Sequence, residues 1–148
     1  MNDPRPARST DRPAVEAIVH AAYSPWIDRI GQTPGPMLDD YAALIAEGRV
    51  HVTGTPDLTG ILVLIPEADT LLLDNIAVAP EAQGTGVGKR LMTFAEDQAR
   101  AAGYDRIRLY THEGMAENVA IYLRIGYRET HRATQNGFPR VFMEKVLT

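Results

Sequence analysis

The chain has 148 residues, a formal net charge of −4 and no cysteine, which suits one domain, residues 1–148, whose core needs no staple. Disulfides, thiolate metal sites and a cysteine nucleophile are excluded, and no side-chain grouping has metal-ligand spacing, so no metal is expected. With no basic run, no apolar stretch of membrane-spanning length and a polar start, neither nucleic acid nor membrane is an expected partner, and the cytoplasm is the expected compartment.

In chain order, residues 5–8 read as a short strand stopped by the capping cluster Ser9-Thr10-Asp11. A helix then runs to Tyr23 with Ala14, Ile18 and Ala21/Ala22 on one face, and Glu16 and His20 read as an i,i+4 pair. Residues 24–36 form a loop punctuated by Pro and Gly, and a second helix spans 37–47 before Gly48. Strands follow at 50–53, 59–65 and 71–78, the first two joined by Thr55-Pro56-Asp57. His51 alternates with Val50 and Val52, which places it on an exposed strand face.

Beyond residue 86 the period switches to that of a helix, with Val87, Leu91, Phe94/Ala95, Gln98 and Ala99 on one face and Gly103 as its stop. In the next strand, 106–111, Ile107, Leu109 and Thr111 alternate with Arg106, Arg108 and Tyr110. A helix over 116–125 ends at Gly126, and two last strands, 127–134 and 140–146, turn at Asn136-Gly137. The class is mixed α/β, in the order β-α-α-β-β-β-α-β-α-β-β.

The most informative segment is 71–94, where a strand ends at Ala79-Pro80 and a turn carrying Gln83, Gly84, Thr85, Gly86, Val87, Gly88 and Lys89 opens the next helix. Glycines at 84, 86 and 88 lack the Cβ atoms that keep a ligand off the backbone. The first amides of a helix have no intrahelical partner and lie at the positive end of its dipole, so the turn is a cradle for phosphate. A Walker A loop is ruled out, because Arg90 follows Gly88-Lys89 and Gln83 stands where the first glycine belongs. The spacing GxGxG also departs from the GxGxxG of a dinucleotide site, and the next strand ends in Thr111-His112 rather than an acid.

The stretch Gln83-Gly84-Thr85-Gly86-Val87-Gly88 resembles the Gln/Arg-x-x-Gly-x-Gly/Ala signature of the GNAT superfamily of acyl-CoA-dependent N-acyltransferases. Downstream, Tyr122 stands four residues before Gly126-Tyr127, as in the second signature of that family. The asparagine the family often has seven residues before this tyrosine is Met115 here, and Asn118, four before it, shares that helix face.

The resemblance implies a GNAT fold: a mostly antiparallel mixed sheet of six to seven strands, four flanking helices, and a fourth and fifth strand splayed around acyl-CoA. It places pantetheine along Asn75 to Val78, beside Ile76, Ala77 and Val78 and with its amides paired to backbone groups of Ile76 and Val78, the pyrophosphate on the amides from Gln83 to Lys89, and Asn118 and Tyr122 beside the donor. The implied reaction is direct attack by a primary amine of a small molecule or peptide on acetyl-CoA. Tyr122 is the expected proton donor to the departing sulfur. Asp74, Glu113 and His112 are the candidates for a general base. Tyr23, Trp26, Ile27, Ile30 and Met37 give the first interhelix segment an apolar load that would suit either an acceptor pocket or packing under the domain. A non-catalytic acyl-CoA-binding or sensing module is the alternative reading. The last strands offer a surface for a homodimer, which the sequence does not decide.

Overall fold

A computed structural model describes residues 3–147 of the chain. Its elements in order are β1 (Arg5–Pro6), α1 (Arg12–Tyr23), α2 (Ile27–Ile30), α3 (Tyr41–Ala46), β2 (Val50–Thr53), β3 (Gly60–Pro66), β4 (Leu71–Val78), α4 (Val87–Ala101), β5 (Arg106–His112), α5 (Ala116–Arg124), β6 (Arg128–Gln135) and β7 (Phe138–Val146). The seven strands form one sheet in the order β1-β2-β3-β4-β5-β7-β6, antiparallel throughout except for the pair β4–β5. This is the GNAT architecture: four helices of six residues or more flank the sheet, and α2 is a single added turn.

The sheet is two blocks joined at one seam. β3 and β4 run together over their whole length, and so do β5 and β7. Between the blocks, β4 and β5 pair only at Leu71↔Ile107, Leu72↔Arg108 and Leu73↔Leu109. Directly beyond, the register of β3 against β4 slips, from Leu64↔Leu73 to Val63↔Asn75, which leaves Asp74 as the extra residue of a β-bulge. A bulge increases local twist and re-aims the strand, and past it β4 leaves β5.

The core lies where both faces of β3 are covered. Ile61, Leu62 and Val63 are fully buried, as expected of a central strand with helices on each side. Val15, Ile18 and Val19 of α1 face one side; Val87, Leu91, Ala95 and Ala99 of α4 face the other. Gly60 is required by this packing, since a Cβ there would meet Val87 Cγ1 at 2.8 Å and Leu91 Cδ1 at 2.9 Å.

Several sequence expectations change. The buried stripe of α1 is Val15, Ile18 and Val19, while Ala14 is exposed. Glu16 pairs back to Arg12 at 3.2 Å rather than forward to His20. The helix read over 37–47 is a 3-10 turn, Gly35–Leu38, followed by a break and then α3. The Asp40 side chain causes the restart, accepting the Ala43 amide at 3.1 Å as an N-cap. Gln98 is exposed on α4. His51 is half-buried, its ring 5.1 Å from that of Phe94, because α4 covers the face of β2 that alternation alone leaves open. Burial lowers its pKa.

Leu91 is fully buried at the α4–β3 contact, so Leu91→Ala should lower the urea-unfolding free energy by about 2–5 kcal/mol with an unchanged m-value.

Candidate functional site

The seam decides which backbone groups are free. Leu64 donates its amide to the Arg49 carbonyl of the segment entering β2, at 2.9 Å, so the even residues of β3 face β2. Ile61 and Val63 therefore face β4 and bond with Ala77 and Asn75. By alternation Ile76 and Val78 turn their N–H and C=O groups to the opposite edge, where β5 has departed. Ala77, placed with them by the sequence reading, is spent on β3.

Tyr23 closes on this edge. Its hydroxyl lies 2.7 Å from Asn75 Oδ1 and 2.8 Å from the Ile76 carbonyl oxygen, so one proton serves two acceptors. Asn75 in turn donates from Nδ2 to the Tyr41 hydroxyl at 2.8 Å, and Tyr41 donates to the Pro36 carbonyl. Asn75 is 3% exposed, which makes this chain the polar clasp between α1, α3 and the bulged strand. Burial is the first cause that raises the pKa values of Tyr23 and Tyr41 well above the ordinary phenol range.

The cleft opened by the seam is lined on the β4 side by Asp74, Asn75 and Ile76, and on the β5 side by Tyr110, Thr111 and His112. Met115, Asn118 and Tyr122 close it from α5 and the turn before it. Its empty space, open mouth included, is about 580 Å³. Tyr122 is half-buried there, and burial pushes its hydroxyl up to about 12. Asn118 donates to Met115 Sδ at 3.5 Å, so the residue in the usual asparagine slot and its candidate substitute touch each other at the same wall.

At the far end of β4 the glycine turn takes the shape its composition requires. Gly84 and Gly86 have φ of +79° and +94°, a left-handed backbone open to glycine at no steric cost. The amides of Gln83 and Thr85 are turned inward, at 3.3 Å from the carbonyls of Pro80 and Ala82, so two of the amides expected to receive a phosphate are already used. Those of Val87, Gly88 and Lys89, the first turn of the 15-residue α4, are not bonded within the helix. The Gln83 side chain reaches back to the Val78 carbonyl at 3.4 Å.

The three base candidates separate. Asp74 stands in the cleft, with Oδ1 accepting a short hydrogen bond from the Tyr110 hydroxyl. His112 also lines it, but both ring nitrogens are engaged: Gly114 donates its amide to Nδ1 at 2.9 Å, which makes Nε2 the donor to Gln32 Oε1 at 2.8 Å. Burial lowers the His112 pKa, Glu113 opposes this and Arg140 adds to it. Glu113 is exposed, outside the cleft, and bonded to Arg132 at 2.8 Å. The side chain following the end of β5 points away from the seam.

Of the acceptor residues named from sequence, Tyr23 lines the cleft while Trp26 and Ile30 do not. The segment instead straps itself across the end of β5. Arg29 caps the Trp26 ring and forms a two-pronged ion pair with Glu117 of α5. Ile30 sits over Gly114, where an added Cβ would meet its Cγ2 at 2.9 Å. The sequence reading missed Tyr110 and Arg140, whose guanidinium lies 4.1 Å from the centre of the Tyr110 ring. For Tyr110, alternation gave only its side of the strand; its place one step past the Leu73↔Leu109 pair, opposite Asp74, comes from the parallel register.

Residues 16–127 match the model of the acetyltransferase (GNAT) family, and the chain belongs to that family. It is 35% identical over 91 residues to mycothiol acetyltransferase of Beutenbergia cavernae, covering 61% of this chain and 31% of that protein; the chain thus spans about a third of that relative's length. The fold matches the ribosomal-protein-S18-alanine N-acetyltransferase of Escherichia coli with a TM-score of 0.78 at 21% identity, covering 100% of this chain and 95% of the other. It also matches PaiA N-acetyltransferase of Thermoplasma acidophilum, solved in complex with coenzyme A, with a TM-score of 0.75 at 18% identity over 99% of each chain.

Asn75→Ala leaves the Tyr23 and Tyr41 hydroxyls each short of a partner. Its urea-unfolding free energy should fall by about 1–3 kcal/mol, the cost of stranding buried polar groups.

Proposed function

We propose that residues 1–148 act as one cytoplasmic domain that transfers an acetyl group from acetyl-CoA to a primary amine by direct attack. The observation that carries this reading is the seam: a sheet parted after three pairs, with a free strand edge on one side and a glycine turn at its end. The residues fit the donor. The edge groups of Ile76 and Val78 suit the amides of a pantetheine arm, although Tyr23 and Gln83 already bond the two carbonyls. The positive-φ glycines and the first amides of α4 suit a pyrophosphate. Family membership and the coenzyme A held by one structural neighbour support the same assignment.

Acetyl-CoA would supply an acyl group on a sulfur leaving group. An edge amide at Ile76 or Val78 is placed to stabilise the oxygen on which negative charge develops. Tyr122 holds a proton at Oη for the departing sulfur. A hydroxyl at about 12 keeps that proton at any working pH. A thiol ordinarily titrates near 8.5, so Tyr122 is the weaker acid of the two and serves by holding its proton at the sulfur as the C–S bond breaks. Asp74 is the group left to take the proton of the amine, since Tyr110 engages only its Oδ1; Glu113 is turned to Arg132.

Thiol release across an amine panel tests the reading. Tyr122→Phe should lose about 10²–10⁴ in kcat, the usual worth of a positioned acid, while its acetyl-CoA dissociation constant stays within about twofold (~0.4 kcal/mol). Full turnover in that variant removes Tyr122 from the mechanism. Tight acetyl-CoA binding without thiol release from any amine leaves a binding module.

A further inference from the structure

Beyond the donor cleft lies a second lobe, lined by Pro36, Leu38, Asp39, Tyr110, Phe138 and Arg140. Pro36, Tyr110, Phe138 and Arg140 also line the cleft, so the two spaces communicate past the Tyr110 ring. No residue of the glycine turn borders the lobe, which sets it apart from the expected phosphate end of the donor.

Charge in the lobe is arranged by sign. Arg140, opposite His112 in the β5–β7 ladder, lies over the rings of Tyr110 at 4.1 Å and Phe138 at 5.6 Å and donates to Gln135 Oε1 at 2.9 Å. Among the described residues it forms no ion pair. An arginine kept only to neutralise Asp39 and Asp74 would be bonded to one of them, since a two-pronged guanidinium–carboxylate contact is its strongest option. The two rings instead hold the guanidinium in place, and apart from the Nη1 bond to Gln135 its N–H donors are left to the lobe it lines. The hydroxyl of the Tyr110 phenol fixes Asp74, and Asp39 lines the lobe with Arg140. Loss of water around its carboxyl and then Asp74 push Asp39 up to about 6, with Arg140 pulling it back; the residue is still exposed, so solvent and a soluble cation both reach it. Two carboxylates, Asp39 and Asp74, and one arginine are thus gathered around the Tyr110 ring.

We propose that the acceptor is a zwitterion of amino-acid type, whose amine is held by Asp74 and Asp39 and whose carboxylate, a few bonds away, is held by Arg140. The inference rests on the transfer reading and narrows its acceptor class. Neutralising both ends of such a molecule at once favours it over a plain amine, which leaves Arg140 without its anion. It also favours it over a carboxamide, which offers Arg140 only a neutral oxygen.

The test measures thiol release from acetyl-CoA with the twenty free amino acids, their carboxamides and the corresponding decarboxylated amines. The best free amino acid should exceed its own amide and amine by about tenfold or more in kcat/KM, the size expected for one charged hydrogen bond. Arg140→Gln should cut the ratio of kcat/KM for the acid over its own amide, both measured in that variant, from about tenfold to about one. Arg140→Lys, which keeps the charge without the flat fork, should recover part of the preference. Melting curves establish that both variants fold. An amide or amine used as well as its acid overturns the proposal, and so does a preference that survives Arg140→Gln. Acetyl-CoA binding with no amine consumed overturns it as well. Failure of acetyl-CoA to bind at all removes the transfer reading itself.

Discussion

Everything at the site follows from β4 and β5 ceasing to pair. Three residues of parallel ladder hold the blocks together, and the bulge at Asp74 then sends the strands apart. A buried strand edge without partners is costly, because each unmet N–H or C=O forfeits a hydrogen bond that water would have supplied. The fold meets part of that demand with side chains: Tyr23 on the Ile76 carbonyl and Gln83 on the Val78 carbonyl. The groups left at the edge, and the space beside them, are what an extended amide-bearing ligand can use. The seam is kept open by packing on each block separately, since β4 is committed to β3 and β5 to β7 along their full lengths.

The polar clasp of Tyr23, Asn75 and Tyr41 links this opening to the rest of the domain. Asn75 directly follows the bulged residue, so the same irregularity that separates the strands aims its amide between two phenols. On the other wall the strap before α3 crosses the end of β5 through Gln32 on His112 and Arg29 on Glu117. The donor cleft and the charged lobe are therefore framed by one segment, 24–41, which meets both walls.

Much of this was legible in the chain, and the boundary is a physical one. Local patterns carried the strands, the long helix after the glycine turn and its stop at Gly103, because period and turn chemistry act within a few residues. The hairpin at Asn136-Gly137 was legible for the same reason, and both residues take positive φ. The pair of spaced motifs gave the fold. What escaped depends on contacts across the sheet. The position of His51 is set by α4 covering the face of β2, and the place of Tyr110 opposite Asp74 is set by a parallel register that no local pattern encodes. Trp26 and Ile30 looked like pocket residues because they are apolar in a loop, yet tertiary contacts use them as packing for the strap. The break before Tyr41 had a readable cause in Asp40, which competes with helix continuation through its own side chain.

The central claim is that the parted strands and the glycine turn form one seat for acetyl-CoA. A melting curve with saturating acetyl-CoA, run beside ATP and NADH, tests it most directly. Ligand at about a hundredfold over its dissociation constant adds roughly 2.7 kcal/mol to the folded state, which for a chain of this length is on the order of 5–10 °C. The account predicts a shift of that size with acetyl-CoA and none with the two nucleotides. A cooperative melt that acetyl-CoA leaves in place, or one that ATP or NADH raises further, would contradict it.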